Sequence, residues 1–271
     1  MKAAALQMVS GIAREPNLRA ARALLEQARD AGAELAVLPE HFGALGLHER
    51  DKLALAEPFG GGPMQDFLAE SARALGLWIV GGTVPLAGSD AARVFNSSLA
   101  FAPSGACVAR YDKIHLFRFD NGRERFDEAH SVEPGRAPVA IDITARSGER
   151  WRVGLSVCYD LRFPELYRAH VQAGADLLLV PSAFTHTTGQ AHWELLLRAR
   201  AIENLAYVLA PAQGGVHENG RRTWGHSMLV DPWGQVLAQW EEGSGIVVGT
   251  LSRERLAAVR TQLPAREHRV L

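Results

Sequence analysis

Three side chains in this sequence have the types needed for covalent catalysis, and each stands where an apolar run ends. They are Glu40 in Ala36-Val37-Leu38-Pro39-Glu40, Lys113 in Ala109-Arg110-Tyr111-Asp112-Lys113-Ile114-His115, and Cys158 in Gly154-Leu155-Ser156-Val157-Cys158-Tyr159-Asp160. Around Cys158 the pattern reads as a strand that breaks into a turn and then a helix. That predicts an exposed thiol at a strand's carboxyl end, near a helix N-terminus that favours a thiolate. A buried structural cysteine fits the same local pattern. Brought together at strand ends, where α/β folds build sites, the three would form one set. The thiolate attacks, the carboxylate moves protons, and the ammonium steadies developing negative charge. Taken singly, each has a plainer reading: Glu40 fits a loop cap after Pro39, and Lys113 fits a lysine lying along the surface.

The elements that must position these residues are legible as periodicity. Strands are predicted at 2–8, 35–38, 77–84, 94–101, 106–111, 139–144, 152–158, 177–181, 206–210, 226–230, 235–240 and 246–251. Pro103-Ser104-Gly105 and Asp231-Pro232-Trp233-Gly234 read as turns between strands. Helices are predicted from Pro16-Asn17 to Ala31-Gly32, after Pro63, and over 164–173, 191–203 and 253–262. About a dozen strands divide most readily into two packed sheets with helices outside them. No linker, repeat or low-complexity tract interrupts the chain, so residues 1–271 are expected to form one domain. The tail Pro264–Leu271 has no pattern of its own and is expected to be disordered or pinned across a partner subunit.

Composition narrows the function classes. The chain has 271 residues, is 47% hydrophobic and 22% charged, and carries a formal net charge of −1. That is ample material for a core, and too little positive charge for nucleic acid as the main partner. Cys107 and Cys158 are too few for a disulfide framework, so the chain is expected in the reducing cytoplasm. Residues 1–8 turn polar too soon for a signal peptide. No apolar run reaches the ~18 residues of a membrane span. No His-Glu-x-x-His, Cys-x-x-Cys, Gly-x-Ser-x-Gly or Gly-x-Gly-x-x-Gly pattern occurs. His192 and His226 are not read as ligands. No metal and no cofactor is expected, and a serine hydrolase or dinucleotide enzyme is disfavoured.

Leu38-Pro39-Glu40, Tyr111-Asp112-Lys113-Ile114-His115-Leu116 and Cys158-Tyr159-Asp160-Leu161-Arg162-Phe163-Pro164-Glu165 resemble the three signature blocks of the nitrilase, or carbon–nitrogen hydrolase, superfamily. They occur in the family's order, 73 and 45 residues apart, and the resemblance covers essentially the whole chain. It implies a four-layer α-β-β-α sandwich of mixed sheets with helices on the outer faces. It implies Glu40 as general base, Lys113 as the oxyanion-stabilising ammonium and Cys158 as nucleophile. Many members carry a second glutamate between the lysine and the cysteine; Phe126-Asp127-Glu128 stands at that place, so Glu128 is expected to orient Lys113 or the attacking groups. The implied reaction is hydrolysis of a small-molecule amide through a thioester on Cys158, with the Tyr159 backbone N–H helping to hold the oxyanion. A homodimer or higher homo-oligomer is also implied.

The stretch 181–204 and Trp224-Gly225-His226-Ser227-Met228 are similar to the Nit-type amidase branch. Two activities follow from that likeness. One is hydrolysis of deaminated glutathione to 2-oxoglutarate and cysteinylglycine. The other is ω-amidase action on 2-oxoglutaramate or 2-oxosuccinamate. Pro181-Ser182-Ala183-Phe184 and Arg198-Ala199-Arg200-Ala201-Ile202-Glu203 are more similar to the first group. Nitrile or N-carbamoyl hydrolysis is a more distant alternative. Both main substrate types are carboxylated α-keto acids, and a cation must receive the carboxylate. Arg162 is the expected receiver, with a structural salt bridge as its other reading. Tyr159, Phe184, Thr187 and Thr188 are expected to line the same pocket. Trp193 is expected in the core, and Arg198 in an i,i+4 pair with Glu194. The stretch Phe119–Arg125 is particular to this chain and is expected to border the pocket mouth.

Overall fold

The computed structural model describes residues 1–268 and 270. Two sheets form its centre. The first runs, edge to edge, through Gly245–Thr250, Lys2–Gln7, Leu35–Val37, Trp78–Val80, Val94–Phe101 and Val84–Ala87. Cys107–Asp112 and Val132–Glu133 also pair with Val94–Phe101. The second runs through Val139–Thr144, Arg150–Leu155, Leu177–Leu179, Tyr207–Ala210, Ser227–Val230 and Val236–Trp240. In each sheet the inner strands are parallel and antiparallel strands flank them. The helices are α1 (Arg14–Asp30), α2 (Asp51–Ala54), α3 (Pro63–Leu75), α4 (Pro164–Gln172), α5 (His186–Asn204) and α6 (Arg253–Gln262).

Side-chain alternation along the strands builds the layers. Ala3, Ala5, Leu35 and Val37 point from the first sheet into the cluster that holds Val153, Leu155, Leu177 and Leu209 of the second. Ala4, Leu6, Ala36 and Leu38 point the other way, onto Leu24, Leu25 and Leu68 of α1 and α3. Both faces of these strands are covered, which is why they read as unbroken apolar runs. Each fully buried leucine contributes roughly 1.5–3 kcal/mol. Helix α5 packs on the far side of the second sheet, with Trp193 and Leu197 buried there. The result is the four-layer α-β-β-α sandwich that the signature blocks imply.

Three local differences from the sequence reading bear on the site. The expected strand 77–84 ends at Val80, and the chain turns at Gly81-Gly82 before a separate strand, Val84–Ala87. Gly82 has φ +45°, and a Cβ there would overlap the Pro39 carbonyl oxygen, so only glycine lets this turn pass behind Glu40. Helix α5 starts at His186, not at 191, because the Thr185 hydroxyl caps it by accepting from Thr188 N at 3.3 Å. Gly189 hid this start, since glycine weakens helix patterns; a side chain there would collide with Trp224. Finally, the expected strand 152–158 ends at Leu155, short of Cys158, while the turn and then helix read after the cysteine are present. A 3-10 turn spans Cys158–Arg162, and α4 begins at Pro164.

The tail does not lie patternless throughout. Arg266 Nη2 donates to the Val171 carbonyl at 2.8 Å, while Arg269 and Leu271 fall outside the described residues. Trp193 is in the core, its indole N–H donating to His226 O at 2.8 Å, and Arg198 pairs with Glu194 at 3.2 Å.

Candidate active site

Glu40, Lys113, Cys158 and Glu128 lie together in one buried pocket between the carboxyl ends of the two sheets. Glu40 follows the strand Leu35–Val37. Its Oε1 accepts from Asn96 Nδ2 at 2.9 Å and from Lys113 Nζ at 3.0 Å, and its Oε2 accepts from Ala183 N at 2.9 Å. Lys113 follows the strand Cys107–Asp112. Its backbone N–H donates to Asn96 O at 3.0 Å, so Asn96 holds both the carboxylate and the chain that carries the ammonium. Lys113 Nζ also donates to Glu128 Oε1 at 3.0 Å and Oε2 at 2.8 Å. Glu128 in turn accepts from Phe117 N at 2.8 Å, and its own N–H donates to Phe117 O at 3.0 Å. These two bonds close the neck of a small hairpin, Arg118–Asp120 with Arg125–Asp127. The particular stretch 119–125 is that hairpin, and Glu124 lines the adjoining cleft, as expected for a border of the pocket mouth.

Asn96 was not singled out in the sequence. Its signal was present: an amide that opens a polar Asn96-Ser97-Ser98 step in the strand Val94–Phe101, 4% exposed. Asp160 was likewise only part of a block, yet it ties two blocks together. Fully buried, it accepts from Val157 N at 2.8 Å, Tyr111 Oη at 2.7 Å and His115 N at 3.0 Å, and its Oδ1 meets His115 Nδ1 at 2.7 Å. Tyr111 and His115 flank Lys113, so the cysteine turn and the lysine segment are clamped through one carboxylate. Asp160→Asn turns an amide donor toward N–H and O–H donors that need an acceptor. It is expected to cost about 2–4 kcal/mol in denaturant unfolding. It should also lower kcat by roughly tenfold or more with little change in KM, because it misplaces reacting groups without touching substrate.

Cys158 departs from the sequence expectation. It is 7% exposed, not open to solvent. Its φ is +50°, a conformation rare for a side-chain-bearing residue and held here by the Cys158 N–H bond to Pro181 O at 3.0 Å. Burial and the neighbouring Glu40 carboxylate push the thiol well above its ordinary range, and the nearby Lys113 ammonium only partly offsets this. A five-residue 3-10 turn does not supply the helix dipole that was expected to lower it. Burial, the largest single influence, would raise Glu40, but the Lys113 charge, His41 and the hydrogen bonds from Cys158 and Lys113 together outweigh it and hold the carboxyl at about 2. Burial opposes the Lys113 charge, yet Glu128 and Glu40 hold the amine protonated well above its usual range. The resting set is therefore thiol, carboxylate and ammonium, with the base already beside the proton it would take.

His41 completes the wall next to Glu40, with φ +58° and Nε2 3.9 Å from Glu40 Oε1. Burial lowers its pKa to about 4, so the ring is neutral at physiological pH. Ligand-type atoms of Glu40, His41 and Glu128 lie within 4.8 Å of one another. The donor set does not suit a resident cation, because the Lys113 ammonium already bridges both carboxylates.

The expected lining residues divide. Cys158, Tyr159, Arg162, Phe184 and Thr188 surround a cavity of about 20 Å³ at the thiol. Arg162 has no carboxylate partner among the described residues. Its guanidinium lies 5.7 Å from the Tyr159 ring and 5.6 Å from the Phe184 ring, with His192 Nδ1 at 3.4 Å. Thr187 does not belong to this wall. Consecutive helical residues point about 100° apart; Thr188 faces inward, while Thr187 is exposed and donates to Glu124 Oε2 at 3.1 Å. A larger cleft of about 520 Å³ opens beside the small cavity, and His41, Phe117, Glu128 and Arg221 line both. Among the described residues, no helix is long and apolar enough to cross a membrane.

A relative from Synechocystis sp. named deaminated glutathione amidase is 41% identical over 271 residues, covering 99% of this chain and 97% of that one. A human protein of the same name is 39% identical, covering 98% and 81%. The crystal structure of the Caenorhabditis elegans NitFhit protein superposes with a TM-score of 0.89 at 38% identity, covering 99% of this chain; the chain spans 64% of that longer protein. Saccharomyces cerevisiae Nit3, described as a member of branch 10 of the nitrilase superfamily, gives a TM-score of 0.85 at 29% identity, covering 97% and 94%. The carbon–nitrogen hydrolase family model matches residues 2–261, and the chain belongs to that family of hydrolases.

Proposed function

We propose that this enzyme hydrolyses deaminated glutathione to 2-oxoglutarate and cysteinylglycine, with Cys158 as nucleophile, Glu40 as general base and Lys113 as oxyanion stabiliser. The observation that carries the chemistry is the contact of one buried ammonium with two carboxylates beside a buried thiol. The thiol proton passes to Glu40 as sulfur attacks the amide carbon. The oxyanion takes a hydrogen bond from Lys113 and from the Tyr159 N–H, which lies in the first turn of the 3-10 segment, where N–H groups lack intrahelical acceptors. The C–N bond then breaks, and Glu40 delivers its proton to the departing amine. A water gives a proton to Glu40 and its hydroxide oxygen to the thioester carbon. The acid leaves, and the proton returns to sulfur. Glu128 keeps Lys113 charged and aimed.

The substrate reading draws on the relatives that carry this name and on the 520 Å³ cleft. Release of ammonia needs no such space, whereas a dipeptide leaving group does. Arg162, free of carboxylates and cushioned by Tyr159 and Phe184, suits the keto-acid carboxylate. In the same reading the 271 residues act as one domain in a cytoplasmic homodimer or higher homo-oligomer. Leu195 and Ile202, 70% and 45% exposed on one face of α5, support such a contact. The test is a side-by-side assay of 2-oxoglutarate release from deaminated glutathione and from 2-oxoglutaramate. Deaminated glutathione is expected to have the higher kcat/KM by tenfold or more. A preference for 2-oxoglutaramate would make the enzyme an ω-amidase.

A further inference from the structure

We infer that Arg221 is the residue that recognises the leaving group, by receiving a carboxylate at the far end of the departing peptide. The inference rests on the reading above that the leaving group is cysteinylglycine. Arg162 and Arg221 both border the cavity at Cys158, but only Arg221 also lines the larger cleft. One cation thus belongs to the acyl side alone and the other stands where the leaving group must go.

The other cations of the cleft are engaged. Lys52 Nζ lies 3.9 Å from Glu49 Oε1, and Arg222 Nη2 lies 3.8 Å from Glu242 Oε1. Arg221 has no carboxylate within salt-bridge distance among the described residues. One amine of its fork, Nη2, donates to Ala183 O at 3.2 Å. Its Nε is buried with no hydrogen-bond partner, a state that needs an explanation in a folded protein. The Phe126 ring lies 4.9 Å from Cζ and supports the guanidinium from one side. Nη1 is also without a partner among the described residues and, unlike Nε, is not closed off, so this planar, supported fork can offer it to a carboxylate in the cleft. Cysteinylglycine extends up to about 7 Å from the scissile nitrogen to its carboxylate, so the acid end falls in the cleft and not at the thiol. Ala183, which Arg221 holds by its carbonyl, gives its N–H to Glu40. Leaving-group binding and the base are therefore adjacent along one peptide.

The experiment compares wild type, Arg221→Ala and Arg221→Gln on three substrates: deaminated glutathione, its C-terminal carboxamide, and 2-oxoglutaramate. Arg221→Gln keeps a donor for Ala183 O. Both variants are expected to lose about 10–100-fold in kcat/KM on deaminated glutathione, mostly through KM. Arg221→Gln should lose at least tenfold less on 2-oxoglutaramate than on deaminated glutathione, and that turnover also shows that it folds. Wild type itself should lose a similar factor on the carboxamide, and the variants should not distinguish acid from carboxamide. Equal losses on all three substrates would place Arg221 on the acyl side and overturn the inference; so would no loss on any. If wild type turns over only 2-oxoglutaramate, the substrate reading has failed by itself. Inhibition by free cysteinylglycine then decides: inhibition of wild type that Arg221→Ala abolishes keeps Arg221 as the carboxylate receiver, and equal or absent inhibition removes it.

Discussion

Lys113→Met should lose both activity and fold stability, more than any other single change at a non-nucleophilic position. The ammonium bridges Glu40 at 3.0 Å and Glu128 at 2.8 Å, and all three side chains are buried. Methionine fills a similar volume and leaves two carboxylates facing each other without a counter-charge. Breaking a buried ion pair from one side costs about 3–5 kcal/mol, and in a chain of this size each kcal/mol moves Tm by roughly 2–4 °C. A drop of about 10 °C is expected by calorimetry at pH 7. Activity falls by at least 10²–10³-fold from the lost oxyanion donor, and further because Glu40 is no longer held ionised.

The pH dependence gives the sign. Glu40 is held at about 2 against an ordinary 4.5, so its share of stability is complete above 4.5 and is lost as pH falls from 4.5 toward 2. Lys113 is held above its ordinary 10.5, so its share is complete below 10.5 and is lost as pH rises beyond it. Lys113→Met should therefore show most of its deficit between these limits and little of it near pH 2. The double variant Lys113→Met/Glu128→Gln removes one of the stranded carboxylates. It should recover part of the stability and none of the activity, which separates the structural from the chemical role. A Lys113→Met protein with unchanged Tm would mean that the buried ion pairs add nothing to stability.

Elements whose hydrophobic period is unbroken were legible. Leu35–Val37 and Leu177–Leu179 are buried on both faces and read as apolar runs, and α1 presents Ala21, Leu24, Leu25 and Ala28 at helical spacing. What failed to show was whatever depends on backbone conformation at one residue. The turn at Gly82 and the left-handed Cys158 are each fixed by a tertiary contact, with Pro39 O and Pro181 O respectively, and the start of α5 is fixed by the Thr185 cap and by a glycine at 189 that Trp224 requires. The thiol was misjudged for the same reason. Strand-then-helix periodicity says that a residue lies at a junction. It does not say that Asp160 will pull the junction under the lysine segment and close it from solvent. Side-chain direction within a helix was out of reach too while the helix start was misplaced, which is how Thr187 came to be counted with Thr188. Arg221 escaped notice because an arginine beside another arginine in a polar stretch looks like solvated surface.

Cys158→Ala should abolish turnover, with kcat reduced by about 10⁴-fold or more on every amide tested. The competing reading of this residue predicts the opposite pattern. A structural cysteine at 7% exposure would be felt mainly as lost packing, and removing its sulfur would lower Tm and leave chemistry alone. A nucleophile would be felt as chemistry, since no other thiol or hydroxyl nucleophile is placed beside Glu40 and Lys113: among the described residues Cys107 is exposed on a different strand, and the Thr185 and Thr188 hydroxyls are bonded to each other at 2.9 Å. The thiol is also the one member of the set whose loss frees no charge. Its partners Glu40 and Lys113 remain bonded at 3.0 Å, so the variant should keep its Tm within a few degrees. Activity therefore falls without Tm for Cys158 and together with Tm for Lys113. Full activity in Cys158→Ala would remove the thioester from the reaction and leave a buried carboxylate–ammonium pair in search of another role.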